Sequence, residues 1–110
     1  MPLTRDFRET VREKAKRSSR FRQALLTESV ENLLAGDLET SKGLLRDYIK
    51  ATIGYRALSE AAGVPEKSLI RMFGAKGNPR ASHLSRVIEA LQQHEDVRLQ
   101  VSVSRRVDAA

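Results

Sequence analysis

A chain of 110 residues, 40% of them hydrophobic but only five aromatic, has room for one ordinary domain whose core is built mostly from Leu, Val, Ile and Ala. With no cysteine present, disulfide staples, thiolate metal sites and cysteine nucleophiles are excluded, and no apolar run approaches the roughly 18 residues of a membrane span. Twenty Lys and Arg against fourteen Asp and Glu give a net charge of +6, the balance of a protein that meets a polyanion.

That charge is unevenly spread: +5 over residues 1–22, −2 over 23–53, +3 over 54–94 and zero over 95–110. The opening MPLTRDFRETVREK has no apolar stretch of the signal-peptide kind, so a cytoplasmic protein is expected. His83 and His94 stand far apart and form no ligand cluster; His83 reads as a solvent-facing helix residue.

In chain order, Thr4 is placed to cap a first helix over 4–16, in which Phe7, Val11 and Ala15 recur every four residues. Ser18 and Ser19 interrupt it and can cap a second over 19–35, whose stripe of Phe21, Leu25, Val30, Leu33 and Leu34 ends at Gly36. Asp37 caps a third over 38–52, with Leu38, Leu44, Leu45, Tyr48 and Ile49 on its buried face and Gly43 permitting close helix contact. Glycines at 54, 63 and 74 and Pro79 punctuate short helices over 55–62 and 66–73 and a longer one over 82–93. Six helices are thus expected. Beyond them Val97, Leu99, Val101 and Val103 alternate with Arg98, Gln100, Ser102 and Ser104, the period of a half-buried strand. With no partner strand in the chain, this segment is expected to pair between chains.

LSEAAGVPEKSLIRMF, Leu58 to Phe73, has the layout of a helix-turn-helix. Leu58 and Ala62 face inward, Gly63 suits a left-handed turn, Val64 plugs the angle between the helices, Pro65 sets the entry to the second, and Leu69, Met72 and Phe73 seat it on the core. The residues left facing outward are Glu66, Lys67, Ser68 and Arg71. All four are polar and suited to base edges or phosphates.

The continuation AKGNPRASHLSRVIEALQQ, residues 75–93, resembles the lambda-repressor-like (Xre-type) fold, in which a loop ending in Asn-Pro, here Asn78-Pro79, leads into a closing helix. From about Leu33 to Val101 the chain is similar to the addiction-module antidote family, the HigA-like antitoxins. The similarity rests on the Gly36-Asp37 turn, Ala61-Ala62-Gly63, the SLIRMF helix, Gly77-Asn78-Pro79 and the terminal VRLQV. It implies a mainly α, lambda-repressor-like bundle with a C-terminal β-strand pairing between chains. It also implies a homodimeric repressor of its own double-stranded DNA operator, with a RelE-like toxin as a further partner. The chain departs from the general Xre pattern at Tyr55, where glutamine is usual, and at Pro65, where a capping serine is common.

On this reading residues 1–36 are a helical extension, 37–94 the DNA-binding unit, 95–104 the strand and 105–110 a tail. Glu66, Lys67, Ser68 and Arg71 read bases, with Arg71 able to grip guanine bidentately. Tyr55, Arg56, Lys76 and Arg80 touch the DNA backbone, and Val97, Leu99, Val101 and Val103 form the strand. The basic front end reads first as a solvated face over a packed stripe, and alternatively as extra DNA contacts or a toxin-binding arm. No cofactor or metal is expected, and with no nucleophile-base signature or phosphate-cradling loop the chain reads as a non-enzyme.

Overall fold

The computed structural model describes residues 5–106; the expected Thr4 cap and residues 107–110 of the expected tail lie outside them. Six helices follow one another: α1 (Arg5–Arg17), α2 (Ser19–Leu34), α3 (Leu38–Ala51), α4 (Gly54–Ala62), α5 (Glu66–Met72) and α6 (Ala81–Glu95). Their ends are where short-range chemistry puts them. Ser18 Oγ accepts the Phe21 N–H at 3.1 Å, and Asp37 Oδ1 accepts the Thr40 N–H at 3.1 Å, each filling a donor that the first turn of a helix leaves open. Between α2 and α3, Gly36 at φ +85° turns the chain, and the Asp37 N–H closes back on the Asn32 carbonyl at 2.8 Å.

The chain is mainly helical. α1 and α2 pack on α3, and α4 packs on α3, α5 and α6. A single buried cluster runs through all six: Ala15 from α1, Leu25 and Leu26 from α2, Leu45, Tyr48 and Ile49 from α3, Leu58 and Ala62 from α4, Leu69 and Met72 from α5, and Leu84, Val87 and Leu91 from α6. Some expected core positions lie elsewhere. Phe7 and Leu34 are 51% and 68% exposed, on stretches of α1 and α2 where the helical period alone placed them inward. Gly43 makes no close helix contact; a Cβ there would meet only the Arg46 guanidinium, at 4.0 Å.

One ionic node ties the two ends of the chain together. Arg22 of α2 donates through Nε to both oxygens of Glu95, at 2.9 and 3.2 Å, and through Nη1 to the Ala15 carbonyl at 2.9 Å. The Tyr48 hydroxyl donates to Glu95 Oε1 at 2.5 Å. Thus α1, α2, α3 and α6 meet at one carboxylate.

After Glu95 the helix ends at Asp96, which takes a left-handed φ of +56°. Among the described residues no β-strand forms. Val97 and Leu99 are half-buried against the core, and the Leu99 N–H donates to Gln92 Oε1 at 2.8 Å. Val101 and Val103 are 77% and 99% exposed. The alternation therefore does set an inward and an outward side, but only as far as Leu99 does the inward side find apolar cover in its own chain.

Candidate nucleic-acid interface

The turn between α4 and α5 is built by three residues. Gly63 closes α4 in the left-handed region at φ +69°, a backbone that costs an L side chain about 1–2 kcal/mol. Its N–H donates to the Ser59 carbonyl at 2.9 Å, and the Ser59 hydroxyl donates onward to the Val64 carbonyl at 2.6 Å. Val64 is buried between the helices. Pro65 precedes α5 without a side-chain cap; its carbonyl accepts the Leu69 N–H at 3.0 Å and so opens the helix.

With only seven residues, α5 has too few internal hydrogen bonds to persist alone. Leu69, Met72 and Phe73 anchor it, α4 packs on it, and α3 reaches its C-terminal end. Arg46 Nη1 donates to the Phe73 carbonyl at 3.0 Å, which places a cation at the helix C-terminus where the backbone dipole favours one. One turn earlier on α3, Lys42, only 3% exposed, donates to the Gly77 carbonyl at 2.7 Å and to Glu39 Oε2 at 3.1 Å. Gly77 lies directly on the end of α5: a Cβ there would overlap the Arg71 carbonyl and stand 2.6 Å from that of Met72. The loop after α5 is therefore clamped onto it, by a steric requirement on one side and a buried lysine on the other.

The outward face of α5 carries Glu66, Lys67 and Arg71, all exposed, and the half-buried Ser68. Ile70 is on this face too, 51% exposed. Its residue type alone points to no role, although its spacing from Glu66, Lys67 and Arg71 places it beside them on a helix. An exposed isoleucine among polar neighbours suits the methyl group of thymine.

Ser68, Arg71, Lys76 and Arg80 come together. They line one groove of about 440 Å³, with Pro65, Met72, Gly77, Asn78, Pro79 and His83. No carboxylate lines it, and the charged side chains of its wall are Arg71, Lys76 and Arg80. His83 joins the site as a half-buried wall residue; its place in the first turn after Arg80 was the available signal. Glu66 and Lys67 lie outside the groove, as do Tyr55 and Arg56. The Tyr55 ring stacks on Phe73 at 6.5 Å between centroids and 28° between planes. Burial raises its phenol above the ordinary tyrosine value, with Arg46 and Arg12 pulling the other way. Arg56 is exposed on α4.

Among the described residues no three His, Asp or Glu side chains gather where one metal ion could bind, and no helix is long and apolar enough to cross a membrane. A second, larger groove of about 770 Å³ runs between the outer face of α2, with Val30 and Leu34, and the C-terminal segment, with Val97, Leu99 and Val101. No family model, curated protein or solved structure matches the chain.

Proposed function

We propose that the chain is a sequence-specific DNA-binding regulator, a binding protein rather than an enzyme, that inserts α5 into the major groove. The observation that carries this reading is the outward face of α5, where Arg71 stands exposed at the rim of a carboxylate-free groove that also holds Ser68, Lys76 and Arg80. Arg71 and Lys67 read base edges, with Glu66, Ser68 and Ile70 beside them; Lys76, Arg80, Tyr55 and Arg56 hold the phosphates. Clamping of α5 by Lys42 and Arg46 suits this role, since readout needs a recognition helix of fixed orientation. Within this reading α3 to α6 form a lambda-repressor-like unit.

The test is a mobility-shift titration with a duplex from upstream of its own reading frame. Arg71→Ala is expected to cost about 1–3 kcal/mol of discrimination against competitor DNA, and binding should weaken linearly in log–log terms as salt rises. Absence of any shift at low salt rejects the reading, and indifference to both Arg71→Ala and Lys67→Ala rejects its specificity.

A second property is favoured by the exposed apolar edge of Leu34, Val101 and Val103 around the groove of α2. Another chain is proposed to cover it: a second copy, giving the homodimer a repressor of a two-fold operator requires, with residues 97–103 becoming a strand on pairing. The resemblance to addiction-module antidotes makes a RelE-like toxin the alternative occupant, and the protein then an antitoxin repressing its own operon in the cytoplasm. Co-expression with the neighbouring reading frame separates the two: co-purification of a small basic protein supports the antitoxin role, and a dimer with no such neighbour supports a free-standing repressor.

A further inference from the structure

The +5 charge of the first 22 residues is not absorbed by the interface described so far. Three cations on α3 lie in one row at four-residue spacing, Lys42, Arg46 and Lys50, about 6 Å apart along the axis. Lys42 is spent on the loop, Arg46 gives one Nη1–H to the end of α5, and Lys50 is exposed. Across from it α1 packs on α3 and brings Arg8 and Arg12, themselves four residues apart. Among the described residues the charged groups acting on the Lys50 amine are Arg12, Arg46 and Arg8, with one carboxylate, Asp47. That carboxylate is weakly engaged: Arg12 Nε is 3.6 Å from Asp47 Oδ1, beyond hydrogen-bonding reach, and neither atom has a hydrogen-bond partner, nor does Arg8 Nε. Three arginines and one buried acid thus act on the Lys50 amine, and of the arginines Arg12 stands 3.6 Å from that acid. Burial first, then Arg12 and Arg46, hold the Lys50 ammonium below the ordinary lysine value, as expected where positive charge is in excess.

We propose that Arg8, Arg12, Arg46 and Lys50 form a second phosphate-binding surface for duplex DNA, continuous with the recognition helix and flanking the bases that α5 reads. Continuity is what selects this ligand. Arg46 holds the carbonyl of Phe73, and the Tyr55 ring lies on the Phe73 ring, so the cluster abuts the C-terminal end of α5. A duplex seated on α5 carries about one negative charge per 1.7 Å of its axis, and in this proposal its backbone runs past the Phe73 end of α5 toward the cluster. The basic N-terminal helix then extends the footprint without adding sequence preference, because phosphate contacts position and do not read.

The inference rests on the DNA-binding reading, and the test keeps the two apart. Affinity for the upstream duplex is measured against salt for the full chain, for Arg8→Gln/Lys50→Gln and for Arg71→Ala. Arg8 and Lys50 also act on neighbouring charges, so thermal unfolding of the double variant serves as the control for folding. Loss of two phosphate contacts is expected to make the log–log salt slope shallower by about 1.8, with equal loss on unrelated duplex, whereas Arg71→Ala narrows the gap between specific and unrelated DNA. An unchanged slope in the double variant, alongside a wild type that binds and an Arg71→Ala protein that loses specificity, overturns this proposal alone and returns the cluster to solvent or to an acidic protein. A wild type that shifts no duplex overturns the DNA-binding reading and this inference with it. A measurement on unmutated protein stands beside these: acetylation of Lys50, followed by mass spectrometry, should slow several-fold when duplex is added. Equal reactivity with and without DNA rejects the contact.

Discussion

Gly63 and Gly77 bracket α5 and are glycine for different physical reasons. Gly63 has open space around it but a left-handed backbone; Gly77 would place a Cβ against the Arg71 and Met72 carbonyls. Gly77→Ala must therefore lift the loop off α5 or bend the helix end. We expect a loss of about 1–3 kcal/mol, the range for inserting a methyl into a packed site, read as a lower denaturant midpoint, together with weaker DNA binding. Glu95 makes a prediction of another kind. Burial pushes its carboxyl up, but the hydrogen bonds from Arg22 and Tyr48 and the Arg22 charge outweigh this and hold it below the ordinary value of 4.5. A carboxyl whose pKa is lower folded than unfolded stabilises the fold above the unfolded value, and that stabilisation disappears as pH falls through the folded value. Urea midpoints taken between about pH 3 and pH 7 should fall on the acid side of about 4.5, and Glu95→Gln should flatten that dependence. Glu95→Ala, which leaves Arg22 and Tyr48 facing an uncompensated site, should cost about 3 kcal/mol at neutral pH.

At the scale of elements, helix ends were legible in the sequence and burial at the bundle's edge was not. Ser18, Asp37, Gly36 and Gly63 act through groups a few residues away, so the order of residue types is enough to place them. Phe7 and Leu34 obey helical periodicity yet face outward, because periodicity gives a helix an apolar side without saying whether another element covers all of it. The same limit hid Lys42. A lysine in an amphipathic helix reads as solvated charge, and only the fold brings the Gly77 carbonyl, 35 residues away, onto its Nζ. Of the interface, the outward residues of α5 followed from local pattern, while the groove joining Ser68 and Arg71 to Lys76, Arg80 and His83 depends on how the loop folds back. Two substitutions probe the elements themselves. Gly43→Ala, with no neighbour nearer than 4.0 Å, should stabilise α3 by about 0.5–1 kcal/mol and raise the melting temperature. Ser59→Ala, which removes the 2.6 Å bond to the Val64 carbonyl, should lower stability by about 1 kcal/mol in the same measurement.

For the whole molecule, the division of the C-terminal segment into a covered part and an uncovered part sharpens the test of assembly. Val97 and Leu99 already belong to the core of their own chain, so a truncation must spare them. A chain ending at Gln100 is expected to keep its helical circular dichroism and its melting temperature while sedimenting as a monomer; a dimer of that length would place the contact elsewhere.

The two α3 cations that hold the end of α5 and its loop have a consequence for motion. A seven-residue helix that packs on α4, and whose C-terminal end and following loop are held by Arg46 and Lys42 of α3, is expected to open with the bundle rather than alone. Native-state hydrogen exchange should therefore give α5 amides the same opening free energy as α3, and Arg46→Ala should split that shared value into two, freeing α5 to open at lower cost while α3 keeps its protection. α5 would then behave as a separate foldon, and its loss of orientation would be visible in exchange rates before any change in the global melt.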